Sequence, residues 1–371
     1  MKTWHRRNRA MYFAGAAVAL AMVGAGCSND SDAANSSGGA GTGDFAQAQA
    51  EVDKFAANPP LKVEPLPERP ATSTTAIQLN CTLPSCAPGA MQPAMEVLGW
   101  SFEEQTFDIT EGPAALQQAL TQAIAEDPDV IFIPGTFPPE TLQAQVDSGV
   151  EQGIKFVTIG GTEEVPPGYS ACIQCTPSAA ALGALAANIA LADAGDDINI
   201  AVAFDKTITP LVAEADGVKQ QIEAIGGGSE VLDLEQSVVA TPADNAAKVV
   251  SFLQRNPDVE YLILTSPQFN PATALASAGL SSRVKIVGMY PLSDADVAAV
   301  TDGQVIAYAA GEVASMYWRA ADAAARAVSD LEVDPISPLQ SMRVMDSSNA
   351  DISLIDPADF QDVYEAAWQV Q

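Results

Sequence analysis

Two stretches of this chain answer each other. Residues 127–133 read DPDVIFI and residues 256–264 read NPDVEYLIL; residues 154–160 read IKFVTIG and residues 284–290 read VKIVGMY. Asp129 stands 129 positions before Asp258, and Lys155 stands 130 before Lys285. Each stretch holds a continuous apolar run, as a strand covered on both faces requires. Around the first unit, residues 76–79 and 130–133 read as strands. Residues 113–125 read as a helix, with Pro113 in its first turn and Leu116, Leu120 and Ile124 on one face. Leu142, Val146 and Val150 mark a second helix that stops at Gly153, and residues 156–159 are the next strand. After the second unit come a strand at 305–310, a helix at 315–329 with Trp318 in the core, and a last helix near 360–370. Strand–helix alternation of this kind builds parallel sheets with helices on both faces. Its repetition, in a chain too long for one core, predicts an α/β fold of two doubly wound parallel-sheet lobes.

The N-terminal residues point outside the cytoplasm. Lys2, Arg6, Arg7 and Arg9 precede an apolar run at 11–25, shorter than the ~20 residues a membrane span needs. Residues 1–26 therefore read as an export signal. Gly24-Ala25-Gly26-Cys27 resembles a bacterial lipobox, in which the cysteine is lipidated, although Gly24 stands where Leu is preferred. Cleavage without lipid is the alternative. Residues 28–44 (SNDSDAANSSGGAGTGD) are too polar to fold and suit a tether. Residues 27–70 are expected to form this tether and a proline-rich lead-in, with a short helix at 45–56.

Export implies an oxidising compartment. Four cysteines then remain beyond Cys27, namely Cys81, Cys86, Cys172 and Cys175, and these allow three connectivities. The expected pairs are Cys81–Cys86 and Cys172–Cys175. A crossed pairing, a four-cysteine zinc site and thiol–disulfide exchange by the ACIQC stretch are the alternatives. The sole histidine, His5, lies in the signal, so Ser–His and Cys–His catalysis are excluded. Beyond the signal, 13 Lys and Arg (17 less the four named above) face 47 Asp and Glu, a net charge of −34. Such a surface repels nucleic acid.

DPDVIFIPGTFPPETLQ, GIKFVTIGG, NPDVEYLILTSPQFNPATALASAGL and VKIVGMYPLSDADVAAVTDGQV follow one another in an order that is similar to type I periplasmic binding proteins of the sugar-transporter kind, related to ribose-binding proteins. The resemblance covers residues 74–327. It implies an N-terminal lobe of residues 71–174 plus 310–332 and a C-terminal lobe of residues 175–309 plus 333–371. The chain would cross a multi-strand hinge near 170–175, 309–312 and 333–339. It further implies a monomer with no cofactor and no enzymatic activity that captures a small molecule, hands it to an ABC permease and is held at the membrane by lipid.

Ligands bind beyond the carboxyl ends of parallel strands, which makes Asn80, Thr82, Asp108, Thr136, Phe137 and Thr162 the candidates on the first lobe. On the second lobe they are Phe204, Asp205, Lys206, Gln268, Phe269 and Tyr290, with Glu312 at the hinge. The family's sugar-binding Asp, Asn and Arg positions fall instead at Gly160-Gly161-Thr162, Pro267-Gln268, Tyr290 and near Val212. A buried polyol would leave hydroxyls unpaired there, at ~1–3 kcal/mol each. The expected ligand is therefore less hydroxylated and partly apolar or aromatic, with an ordinary pentose or hexose as the alternative. A ligand-sensing receptor ectodomain and an extracytoplasmic thiol–disulfide protein are the other function classes.

Overall fold

The computed structural model describes residues 43–370 apart from 83–85, 162, 335 and 338–340. The export signal, Cys27, most of the expected tether and Thr162 lie outside the described residues. Helix α1 (Phe45–Lys54) starts at Asp44, whose carboxylate accepts from the Gln47 amide at 2.9 Å. The first lobe then runs β1 (Thr75–Cys81), α2 (Gln92–Leu98), β2 (Ser101–Phe107), α3 (Pro113–Ala125), β3 (Val130–Pro134), α4 (Gln143–Gln152), β4 (Lys155–Ile159) and β5 (Tyr169–Ile173). The second runs α5 (Thr176–Ala194), β6 (Asn199–Phe204), α6 (Thr209–Ile225), β7 (Glu230–Glu235), α7 (Pro242–Arg255), β8 (Tyr261–Leu264), α8 (Ala272–Ser277), β9 (Lys285–Met289), α9 (Asp294–Thr301) and β10 (Ala307–Gly311). The chain ends with α10 (Ala314–Val328), β11 (Ile336–Ser337), β12 (Met342–Asp346) and α11 (Phe360–Ala367).

The sheets share one plan. Their strand orders are β2-β1-β3-β4-β5-β11 and β7-β6-β8-β9-β10-β12. Every neighbouring pair is parallel except β10 with β12. The stretch DPDVIFI thus forms β3 and its counterpart NPDVEYLIL forms β8, each in the same place in its sheet. Both strands are buried for almost their whole length because helices cover both faces. On one face of the first sheet, α2, α10 and α11 close a core that includes Trp318 and Trp368, whose rings stack 5.3 Å apart. In the second lobe α5 is apolar almost all round, because the sheet, α6 and α1 all pack against it. A further cluster reaches from α3 and α4 of the first lobe to α7 and the β8 and β9 region of the second.

Among the described residues four segments that follow β1 link the lobes: β5 to α5, β10 to α10, β11 to β12, and β12 to α11. The tail departs from the expectation that residues 333–371 belong to the C-terminal lobe. β12 does join the second sheet, but β11 pairs with β5, and α11 packs on α10 through its aromatic side chains. The lead-in also departs from an extended tether. α1 docks on α5, and the Phe55 carbonyl accepts from the Val344 amide at 2.8 Å. Leu66 is buried in the first lobe, its amide bonded to the Ala367 carbonyl at 2.8 Å. Apolar positions such as Ala48, Val52 and Leu66 are what fasten it.

Candidate functional site

The carboxyl ends of both sheets face one another across a cleft. There the Thr209 amide donates to the Thr136 carbonyl at 3.3 Å, joining the start of α6 to the loop after β3. The loops after β3 and β4 approach so closely that a Cβ on Gly135 would stand 2.0 Å from the Gly160 carbonyl oxygen. Gly160 and Gly161 also have φ of 90° and 86°. Glycine is what this corner admits, so bare backbone stands where the resemblance implied sugar-binding side chains.

Behind the contact lies a cavity of about 200 Å³. Its wall is mostly apolar, with Ile109, Ile159, Ile208, Leu211, Leu292 and Met316 among its residues. A second space of about 150 Å³ on the first-lobe side shares Thr136, Ile159, Met316 and Tyr317 with it. Tyr317 rises from α10 and donates to the Cys86 carbonyl at 3.0 Å, fixing the rim. The cysteines pair as Cys81–Cys86 and Cys172–Cys175, each with Cα atoms 5.8 Å apart. The first pair lines the cavity, and the second brackets Gln174, which also lines it.

Polar groups converge at the hinge. Gln174 follows β5 and Tyr290 follows β9, with φ of 55° and 51°. Non-glycine residues in this left-handed region are strained by ~1–3 kcal/mol and cluster at functional sites. Gln174 Nε2 donates to Tyr290 Oη at 2.5 Å, and the same hydroxyl lies against the Glu214 carboxyl of α6. Glu214 is wholly buried, and neither of its carboxyl oxygens has a well-formed hydrogen bond. Burial pushes this carboxyl well above the usual carboxylate range, with the Tyr290 contact opposing. Burial around the Tyr290 hydroxyl, with the charge of Glu214 beside it, pushes the phenol well above its usual range, and the Gln174 bond opposes this. Thr136 Oγ1 and Asn80 Nδ2 are buried without a partner as well. Glu312, in the link after β10, is ion-paired to Arg319 of α10 and accepts from Ser315 Oγ at 3.1 Å. Among the described residues no cluster of three or more His, Cys, Asp or Glu stands ready to hold a metal ion.

The family model for the periplasmic binding protein domain matches residues 90–332. The chain belongs to this family. Its members bind solutes and carry out no chemistry on them. No curated protein matches the sequence of this binding protein. Solved structures share its fold. A glucose–galactose binding protein from Geobacillus stearothermophilus is 17% identical with a TM-score of 0.66, over 74% of this chain and 98% of that one. A carbohydrate-transporter solute binding protein from Agrobacterium radiobacter, in complex with D-arabinose, is 16% identical with a TM-score of 0.66, over 78% and 100%. A solute binding protein from Agrobacterium vitis with bound D-fucose is 17% identical with a TM-score of 0.65, over 76% and 97%.

The fold of this binding protein distributes the sequence candidates unevenly. Thr136, Gln268, Tyr290 and Glu312 line the cavity, and Asn80 lies beneath it in the second space. The others lie elsewhere. Phe137, Phe204 and Phe269 turn into the cores, where apolar burial outweighs a place on the cleft. Asp205 is buried, but its carboxylate closes its own loop by accepting from the Thr207 amide and hydroxyl and from the Val238 amide. Lys206 points to solvent and pairs with Glu235 at 2.9 Å. Asp108 is exposed and caps the turn at Thr110, which holds its carboxyl below the usual range. Thr82 is exposed.

Glu214, Gln174 and Tyr317 escaped the sequence reading. Glu214 had a visible signal: it falls on the helical stripe of Leu211, Val218, Ile222 and Ile225, where a charged residue is out of place. Gln174 was hidden by the cysteines on either side of it.

Proposed function

We propose that this binding protein is the solute receptor of an ABC importer. It captures one small molecule between its lobes by hinge closure and presents the closed form to a permease. Cys27 carries a lipid that holds it, as a monomer, on the outer face of the cytoplasmic membrane. Asn80, Thr136, Gln174, Glu214, Gln268 and Tyr290 are the groups that meet the ligand, and Glu312 with Arg319 braces the hinge. The observation that carries this reading is the pair of left-handed residues, Gln174 and Tyr290, bonded to each other from opposite lobes at the edge of an apolar cavity. Strain held at a lobe junction is a feature of sites that must close on something. The apolar wall favours a ligand with few hydroxyls, because each buried hydroxyl without a partner costs ~1–3 kcal/mol.

The second reading is a monosaccharide, favoured by the D-arabinose and D-fucose in the two neighbours named above. Calorimetry with D-arabinose, D-fucose, ribose, xylose and galactose separates the two. The apolar-ligand reading predicts no binding at micromolar concentration, and micromolar binding of any one sugar would decide for the second. In either case Tyr290→Ala should weaken the true ligand by at least about tenfold, since it removes a ring and a hydrogen bond together.

A further inference from the structure

Two carboxyl groups face the cavity, and only one has a counter-charge. Glu312 has Arg319. Glu214 is wholly buried, its two oxygens have no well-formed hydrogen bond, and no described lysine or arginine forms an ion pair with it. The backbone fixes it there. A Cβ on Gly183 would stand 2.0 Å from the Glu214 carbonyl oxygen, so α5 and α6 touch at this point and the side chain cannot retreat between them. A carboxyl in such a place either keeps a proton or meets a cation.

We propose that the cavity takes a small organic cation, an amine or amidinium carried on an apolar or aromatic frame, and that Glu214 recognises its charge. This rests on the solute-receptor reading and names the chemical class of the solute. Gln174 donates to Tyr290 Oη, which leaves the phenolic hydrogen free to donate to one Glu214 oxygen. The other oxygen is left for the ligand. The Tyr290 and Tyr317 rings offer faces that attract a cation, and Ile208, Leu211 and Met316 receive the frame. The chargeable groups that line the cavity with Glu214 are Tyr290, from the loop after β9, and Glu312 at the hinge, which is paired to Arg319; α5 faces Glu214 with Ala179 and Gly183. Burial pushes this carboxyl well above the usual carboxylate range, and a bound cation favours its ionised form, so a proton held in the empty site passes to the buffer on capture.

The test is calorimetry on the full chain with two matched pairs, benzylamine against benzyl alcohol and benzamidine against benzamide, and with D-arabinose and D-fucose. The expected result is that at least one cation binds roughly 10- to 100-fold tighter than its neutral partner. Its heat should change with buffer ionisation enthalpy, as proton release demands. Glu214→Gln should abolish the preference, bringing the cation's affinity down to that of its neutral partner. The comparison on the unmodified protein stands even if this variant fails to fold. The inference is overturned by equal binding within both pairs, by a preference that survives Glu214→Gln, or by failure of both cations to bind. Sugar binding without cation binding overturns it and leaves the solute-receptor reading intact. That reading is tested separately, by whether protein from its own host retains a small molecule in native mass spectrometry.

Discussion

Glu214 sets a condition on the empty protein as well as on its ligand. Its folded pKa is raised, so above the ordinary glutamate value near 4.5 the native state holds a proton that the unfolded chain has released. Stability from this residue therefore falls as pH rises through that value. Glu214→Gln removes the effect. At neutral pH the ligand-free variant should be more stable than the parent by about 1 kcal/mol, or about 2 °C in melting temperature. The gap should close as the pH is lowered toward 4.5, which thermal unfolding across pH will read. Other single residues show what a sequence can and cannot announce about a site. Tyr290 was legible because it ends a strongly apolar strand. Phe204 ends β6, and Phe137 and Phe269 stand in the turns after β3 and β8, yet all three face inward. For the two in turns, position along the chain carries no record of that direction.

Helices α5 and α6 show the cost of close packing at the scale of elements. Cβ atoms on Gly183 and Gly217 would each stand 2.0 Å from a carbonyl oxygen of the opposite helix. Gly183→Ala must therefore push the helices apart. It should lower stability by ~1–3 kcal/mol, measurable by urea unfolding, and weaken ligand binding because Glu214 moves with α6. The elements that could be read from sequence were those with two buried faces or a full helical stripe: β3, β4, β8, β9, and α3 with Pro113 at its start. Those that escaped include β2 and β7, at the sheet edges, whose residues are mostly exposed or half-buried, and α2, which has only seven residues. Periodicity fades where one side of an element is wet or the element spans two turns.

In the molecule as a whole, the lead-in forms a fifth link between the lobes. It leaves α1 on the second lobe, passes Asn58, and enters the first-lobe core at Leu61, Val63 and Leu66. Asn58 Nδ2 reaches the carbonyls of Leu354, Ile355 and Asp356 at 2.9–3.0 Å, and its Oδ1 accepts from Ser341 Oγ at 2.7 Å. Asp356 in turn caps α10 by accepting from the Val313, Ala314 and Ser315 amides. Asn58→Ala strips the polar side of this strap and should cost about 2 kcal/mol, seen as a lower melting temperature. Small-angle scattering of the ligand-free variant should show a wider opening between the lobes.

The docking of α1 has a mechanical corollary. Under the proposed anchoring through Cys27, any pull arriving along the chain meets α1 first, and α1 sits on α5, so the second lobe is the one held. Under that same proposal a permease would meet the second lobe at a steady height and the first lobe still travelling.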